Sequence, residues 1–493
     1  MKKRTVSLLL LAAMLAACGE TAVPSADTTA AEVTTISPGA AEKRANTADS
    51  LPDDLDFGSA EVTIYAREGA PFDYEFGVGS ENGEVVNDAI WMRNLAVEER
   101  LNVKISVDAS AVGNGQASIR TVVLSGDDTY TFCTGTSFHT PALALEDCFV
   151  NLLDVEYLDF DKPWWVQNLR EEMTLYDQLY FMSGDLTLTL LQYESAIFAN
   201  QTLLADYGIG EDLYSLVREG KWTLDKLSEF TRMVSADLNG DGVMNEMDRF
   251  GLGLCDSSRI MATGYGAGML VTEKNSEGIP ELALNREHTF DVFDKVNALY
   301  RDKAVFNRFN GTYLGKEPEM EVIALQRKMF ANDQLLFHMG NIMDTEELRD
   351  MRSDYSILPF AKFDEAQENY ISYSFDNFSV IVIPRTCPDT DLAGAVCEAM
   401  AAESYRTVTP AYFDVALKGK YTRDEHAAEM IDLVHATITF NWGLGNSYTM
   451  GYVSHIFQNA IENDIAFASQ YASRESAAKS GYKSLIEYYR DHQ

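Results

Sequence analysis

The chain has 493 residues and a formal net charge of −37, a balance that excludes nucleic acid and anionic lipid headgroups as partners and counts against an anionic ligand. Hydrophobic residues make up 46 %, with 24 Tyr and 25 Phe, so most of the chain has the means to fold. Its length exceeds what one core supports and calls for at least two lobes.

The first segment is a leader. Lys2, Lys3 and Arg4 precede an apolar run from Val6 to Leu15, too short to span a bilayer but suited to a signal peptide over residues 1–17. Leu15-Ala16-Ala17-Cys18 resembles the lipobox of bacterial lipoproteins. That resemblance implies cleavage before Cys18, lipidation of its thiol, and a body held outside the cell membrane by the lipid. Residues 18–57 are rich in Thr, Ala, Ser and acidic residues from Gly19 to Ser50, and are expected to be a flexible linker.

From residue 58 strands and helices alternate. Glu61–Tyr65 and Val103–Val107 predict strands, Val85–Leu101 and Gly115–Leu124 helices, and Tyr130–Cys133 a third strand. A second α/β stretch follows. Leu179–Met182, Ser195–Phe198 and Phe250–Gly253 are strand candidates, with a helix from Thr223 to Ala236 that Thr223 caps. A helix near Phe290–Tyr300 precedes further strands at Leu335–Phe337, Tyr355–Leu358 and Val380–Ile383. Beyond Asp389 the pattern is helical, including Tyr421–Thr437 and a long run from Tyr452 to Ala472. The expected class is α/β, with mainly parallel sheets flanked by helices. Besides Cys18 there are five cysteines. Disulfides are permitted outside the membrane, and the spacing allows Cys387–Cys397 or Cys133–Cys148. An odd count and the lack of a C-x-x-C pair favour buried free thiols.

The sharpest local motif is Asp237-Leu-Asn-Gly-Asp-Gly-Val-Met-Asn-Glu-Met-Asp248, which matches the calcium loop of an EF-hand. Asp237, Asn239 and Asp241 fall at positions one, three and five, and Gly242 at the sharp turn. Val243 offers its carbonyl at seven, Asn245 stands at nine and Asp248 at twelve. Such alternation turns hard oxygens around one cation, so a structural Ca2+ is expected. Enzyme motifs do not accompany it: G-x-S-x-G, H-E-x-x-H and a phosphate-binding glycine loop are missing from the sequence. The expectation is a binding protein rather than an enzyme.

Several segments resemble the extracellular solute-binding proteins, family 1, of carbohydrate-type ABC importers. They are Asp161-Lys-Pro-Trp-Trp165, Leu179-Tyr-Phe-Met-Ser-Gly-Asp185, Ala196-Ile-Phe-Ala-Asn200 with Leu203-Leu204 and Tyr207-Gly-Ile209, Lys221-Trp-Thr-Leu224, and Ala331-Asn-Asp-Gln-Leu-Leu-Phe337. The resemblance covers most of residues 58–493. It implies a two-lobed periplasmic-binding-protein-like fold of type II, with hinge strands and a ligand cleft. On that plan 58–180 form the first part of lobe 1 and 181–334 lobe 2. Residues 335–388 form the return to lobe 1 and the hinge, and 389–493 a helical C-terminal region. Carbohydrate and permease subunits are the expected partners, and a monomer the expected state. Sugar rings stack their C–H faces on aromatic rings while amides and carboxylates meet their hydroxyls. Trp164, Trp165, Tyr193, Phe375 and Trp442 are therefore candidate platforms, and Asp185, Gln192, Asp376 and Asn377 candidate polar partners. Trp222, opening a helix among apolar neighbours, is assigned to the core. A surface glycan-binding adhesin without an importer and a lipoprotein glycoside hydrolase are the alternatives.

Anchorage generates the first test. Cys18→Ser is expected to release the protein in soluble form or leave uncleaved precursor, and lipid labelling that persists in this variant would rule the anchor out.

Overall fold

A computed structural model describes residues 43–307, 319–374, 377–413 and 425–492. Two sheets organise it. The first has the order β11-β3-β1-β2, with β1 (Ala60–Arg67), β2 (Val103–Ala111), β3 (Phe132–Thr136) and β11 (Ser379–Val382). β1 lies parallel to both β2 and β3, and β11 joins β3 antiparallel. β3 is buried along its whole length, as expected of a strand covered on both faces. The second sheet has the order β10-β4-β9-β5-β8. Its strands are β4 (Ser195–Asn200), β5 (Phe250–Gly253), β8 (Val305–Phe306), β9 (Leu335–Asn341) and β10 (Tyr355–Leu358). There β5 runs parallel to β8 and β9, whereas β4 is antiparallel to both β9 and β10. A small hairpin of β6 (Thr272–Lys274) and β7 (Pro280–Leu282) stands apart.

The helices begin and end where local chemistry allows. Val85–Leu101 starts at Glu84, whose carboxylate accepts from the Asn87 amide, and stops at Asn102 in the left-handed region, which Asn tolerates. The Thr223 hydroxyl caps Leu224–Met233, as the sequence predicts. The predicted run from Tyr452 to Ala472 is instead two helices, His455–Glu462 and Phe467–Asp491. The break comes at Asp464, whose φ of 55° no helix continues.

Three predicted boundaries need correction. Leu335–Asn341 lies inside the second sheet, hydrogen-bonded between β4 and β5, so the return to the first sheet occurs only at Ser379. The cause is that a buried seven-residue strand reads alike whichever sheet claims it. Residues 43–57, predicted as linker, pack on the body: Leu51 is buried, and Asp49 is ion-paired with Arg100 and Arg406. The helical region after 389 is no separate unit. Thr390–Glu403 packs on Val85–Leu101 beside the first sheet, while Glu425–Ala436 packs on β10 of the second. Among the described residues the chain passes from the first sheet to the second through 183–194, back through the stretch from 359 to 378 apart from residues 375 and 376, and over again in the stretch beginning at Ser404. The last helix ends back beside Tyr180 and Asp147.

Candidate functional site

Parallel strands β1, β2 and β3 end on one side, and the loops beyond their carboxyl ends carry the candidate site, as in other open α/β sheets. Arg67 closes β1. Its Nε donates to the Gly113 carbonyl at 3.1 Å, and its Nη1 and Nη2 donate to the Asn377 carbonyl (2.8 Å) and side-chain oxygen (3.0 Å). The guanidinium lies 3.5 Å from the centre of the Phe72 ring, which stacks in turn on Tyr193 at 6.1 Å. One arginine therefore fastens the first sheet to the second crossover at Asn377 and the first at Tyr193. Burial lowers its pKa to about 10, with Glu75 opposing the shift.

β3 leads directly into Ser137, Phe138 and His139. The His139 Nδ1 lies 3.0 Å from the Thr136 hydroxyl, and the Gln116 amide donates to the His139 carbonyl at 3.0 Å. Around these residues gather rings from the C-terminal region. Phe138 lies 5.0 Å from His455 and 5.7 Å from Tyr452, His139 lies 5.2 Å from Tyr448, and Tyr452 stacks on His455 at 5.3 Å. Tyr452 is 42 % exposed and has a φ of 62°, a costly conformation for a bulky residue and one that recurs at ligand sites. Burial holds His455 down to about 4, with His139 adding to the effect, and burial with Arg67 holds His139 below its ordinary value. Both imidazoles are neutral at neutral pH, each with one donor and one acceptor nitrogen.

Beside Phe138 lies a cavity walled also by Phe181, Tyr373, Phe378, Phe440 and Leu444, among others. Its room for water is about 20 Å3, enough for one molecule. Of its polar lining residues, the Ser374 hydroxyl donates to the Leu190 carbonyl and the Asn441 amide to the Thr272 carbonyl, so both are already partnered. A pyranose enters only if side chains or lobes move apart.

The sequence candidates divide sharply. Tyr193 and Asn377 meet around Arg67. Trp164, Trp165 and Trp442 are 0, 3 and 0 % exposed and are core rings, a correction to their expected role as platforms. Trp165 donates its indole N–H to Glu398 at 2.8 Å, and Trp222, as expected, is core. Gln192 is buried and donates to the Tyr74 hydroxyl, and Asp185 accepts from Thr409. Phe375 and Asp376, like Cys18, lie outside the described residues. The sequence reading missed Arg67, Phe72, His139, Tyr448, Tyr452 and His455. A usable signal was present: His139 follows a buried strand within three residues, and Tyr448 and Tyr452 stand among glycines and polar residues.

All five body cysteines are free thiols, four buried and Cys387 partly exposed. The 237–248 loop curls as a calcium loop would. Asp237 accepts from the Gly240 and Gly242 amides at 2.7 and 2.8 Å, Asn239 from Asp241 at 2.9 Å, and Asp241 from Val243 at 2.7 Å. Gly240 and Gly242 have φ of 74° and 79°. Asp248, fully buried, accepts from Leu238 and Asn245 and closes the loop. The backbone and oxygen-rich donor set fit a hard cation, although among the described residues no three His, Cys, Asp or Glu side chains already converge on one point.

No protein-family model matches the chain, and no curated protein matches its sequence. Solved structures share its fold. A cyclo/maltodextrin-binding protein complexed with maltotetraose matches at 8 % identity, with 88 % of this chain and 98 % of that one covered and a TM-score of 0.57. An ABC substrate-binding protein from Listeria monocytogenes in complex with cycloalternan matches at 12 % identity, over 87 % and 99 %, with a TM-score of 0.53. An ABC transporter solute-binding protein from Thermotoga lettingae bound with α-D-tagatose matches at 13 %, over 87 % and 100 %, at 0.51. The fold is that of the two-lobed sugar-binding proteins of ABC transporters. Among the described residues no helix is long and apolar enough to cross a membrane.

Glu75 links the site to a measurable pH effect. It is fully buried behind Phe72 in sequence, accepts from the Thr189 amide and hydroxyl and from Ser379, and is raised by burial to about 7. A carboxyl raised on folding contributes stability that is complete below its unfolded value and is lost as pH rises through about 7. This amounts to about 3 kcal/mol between pH 4.5 and neutrality. Glu75→Gln is expected to flatten that loss when urea midpoints are compared at pH 5 and 7.5. An unchanged slope would show that Glu75 does not titrate in this range.

Proposed function

We propose that the chain is the substrate-binding component of an ABC importer. It captures a sugar or oligosaccharide between its lobes and hands it, without chemistry, to permease subunits. In this reading it works outside the cell membrane as a monomer tethered through Cys18. The observation that carries the proposal is the convergence of Phe138, His139, Tyr448, Tyr452 and His455 beyond the carboxyl ends of parallel strands. Ring faces suit the C–H faces of sugars, and the tyrosine hydroxyls and neutral imidazoles suit sugar hydroxyls. The similar structures were solved with maltotetraose, cycloalternan and tagatose, which supports this ligand class. Ligand touching both lobes would favour the closed arrangement by its differential affinity for it.

A thermal-shift screen over oligosaccharides tests the proposal, since a ligand at a hundred times its Kd adds about 2.7 kcal/mol. Tyr452→Ala and His455→Ala are each expected to weaken the best ligand by about 1–3 kcal/mol, the range seen for stacking on aromatic side chains, with apo melting little changed. Hydrolysis of the ligand during the assay would favour the hydrolase alternative. No stabilisation by any glycan would overturn the assignment.

The reading includes a structural calcium in the 237–248 loop, held by Asp237, Asn239, Asp241, Asn245, Asp248 and the Val243 carbonyl. Three of these proposed ligands, Asp237, Asp241 and Asp248, are carboxylates, which repel each other when drawn together without a cation. Calcium is expected to raise the melting temperature over excess chelator and to do so better than magnesium, which takes fewer ligands. Asp241→Ala should abolish that sensitivity and spare the fold, whereas identical curves with calcium and chelator would mark an ordinary turn.

A further inference from the structure

The stretch from Lys43 to Phe57 is a strap fastened along its length. Asp49, its side chain 4 % exposed, pairs with Arg100 and lies 3.7 Å from Arg406. Arg406 Nη1 donates to the Thr47 carbonyl at 3.0 Å, Lys162 to the Ala48 carbonyl at 3.2 Å, and the Ser50 hydroxyl to Asp159 at 2.5 Å. Arg100, Lys162 and Asp159 belong to the first lobe, while Arg406 stands at the start of the third crossover, so the middle of the strap touches the first lobe and that one crossover.

The head of the strap does something different. The Arg44 guanidinium lies over the Tyr405 ring at 4.3 Å, its Nη1 donates to the Tyr405 carbonyl at 3.4 Å, and the same nitrogen is 3.8 Å from Asp185 Oδ1. Asp185 belongs to the first crossover, and Tyr405 stands where the third begins. The two crossovers also touch directly, because the Thr409 hydroxyl donates to Asp185. At the far end of the first crossover Glu194, wholly buried, meets His435 Nδ1 at 2.6 Å. Burial raises both carboxyls, and His435 is raised by Glu194 against the effect of its own burial. Arg44 and His435 are the cations facing this pair.

We propose that the strap is a hinge clamp: Arg44 ties the first and third crossovers together and so restrains the pivot about which the lobes move. Lobes of this kind swing by φ/ψ changes in a few residues of the connecting segments. A guanidinium hydrogen-bonded to one such segment and ion-paired with the other favours one mutual arrangement of the two. Its loss leaves Asp185 without its nearest cation, a costly state for a buried carboxylate, and the crossovers gain reason to rearrange. The leading segment is thereby coupled to lobe movement, and tension on it is felt at the pivot.

The test needs no ligand, so its outcome is independent of the sugar assignment. Amide hydrogen exchange on the full chain is compared for the parent, Arg44→Ala and Asp49→Ala. Arg44→Ala is expected to speed exchange at least tenfold across residues 185–194 and 404–412, and to alter the radius of gyration in X-ray scattering. Residues 49–57 should stay protected through Asp49. If Arg44→Ala melts too early to measure, Asp185→Asn, which removes the other partner, should speed exchange at 43–48 and 404–412 alike. Faster exchange confined to the strap in either variant, or no change anywhere, would show that the strap is packing on the first lobe and no clamp. Asp49→Ala separates the two ideas, since under the proposal it frees the strap's middle and the surroundings of Arg406 but leaves residues 185–194 exchanging more slowly than Arg44→Ala does.

Discussion

Several lengths of chain run between two sheets, and the polar groups they bury there are costly unless they find partners out of reach of water. Much of the rest follows from that constraint. The first crossover is dense in buried Ser, Thr, Gln and Glu, and its hydroxyls are bonded. Ser183 meets Thr187, Thr189 donates to Glu75, and Ser195 accepts from Arg259. The second crossover answers with Ser374 to the Leu190 carbonyl and Ser379 to Glu75. Such a seam specifies how the segments lie against each other, because an alternative register would leave several of these groups unpaired at a cost of about 1–3 kcal/mol each. Gly184 shows how tight it is: a Cβ there would sit 2.1 Å from the Trp164 carbonyl oxygen.

The seam also explains the character of the candidate site. Arg67 is positioned by backbone and side-chain oxygens of Asn377, so the end of β1 is registered against the second crossover rather than against its own loop. Burial then works on whatever titrates nearby: Glu75 rises and His139 and His455 fall, each toward its neutral form. Burial thus favours the neutral forms of these three groups, while the Arg67 guanidinium beside Phe72 keeps its charge.

Legibility from sequence followed the range of the interactions. The helix Val85–Leu101 and strands β5 and β10 agree with the prediction to the residue, because caps, turns and periodicity are local. The class of fold was readable for the same reason, strands alternating with helices. The tryptophans were not. Trp164, Trp165 and Trp442 look alike as core or as platform, and only the folded chain shows that Glu398 takes the Trp165 indole while the other two rings are covered. Tyr452 and His455 were passed over because their neighbourhood reads as helix, whereas the left-handed turn at Tyr452 is what aims the ring. The sheet membership of β9 is a fact of pairing between segments more than a hundred residues apart, which no window along the chain contains.

The same distinction separates the two charged devices of the molecule. The 237–248 loop would draw any cation ligands from twelve consecutive residues, so that expectation could be read from spacing alone. The Asp185–Glu194–His435–Arg44 group, with Tyr405 and Thr409 against it, draws from four segments spread over nearly four hundred residues, and nothing in the spacing of those residues announces it. A local loop can be gained or lost without disturbing the lobes. A cluster assembled from the leading strap, the first crossover, the third crossover's start and a C-terminal helix exists only when the two-lobed arrangement exists. That dependence is why its residues bear on how the lobes move, while the loop bears only on how firmly one surface turn is held.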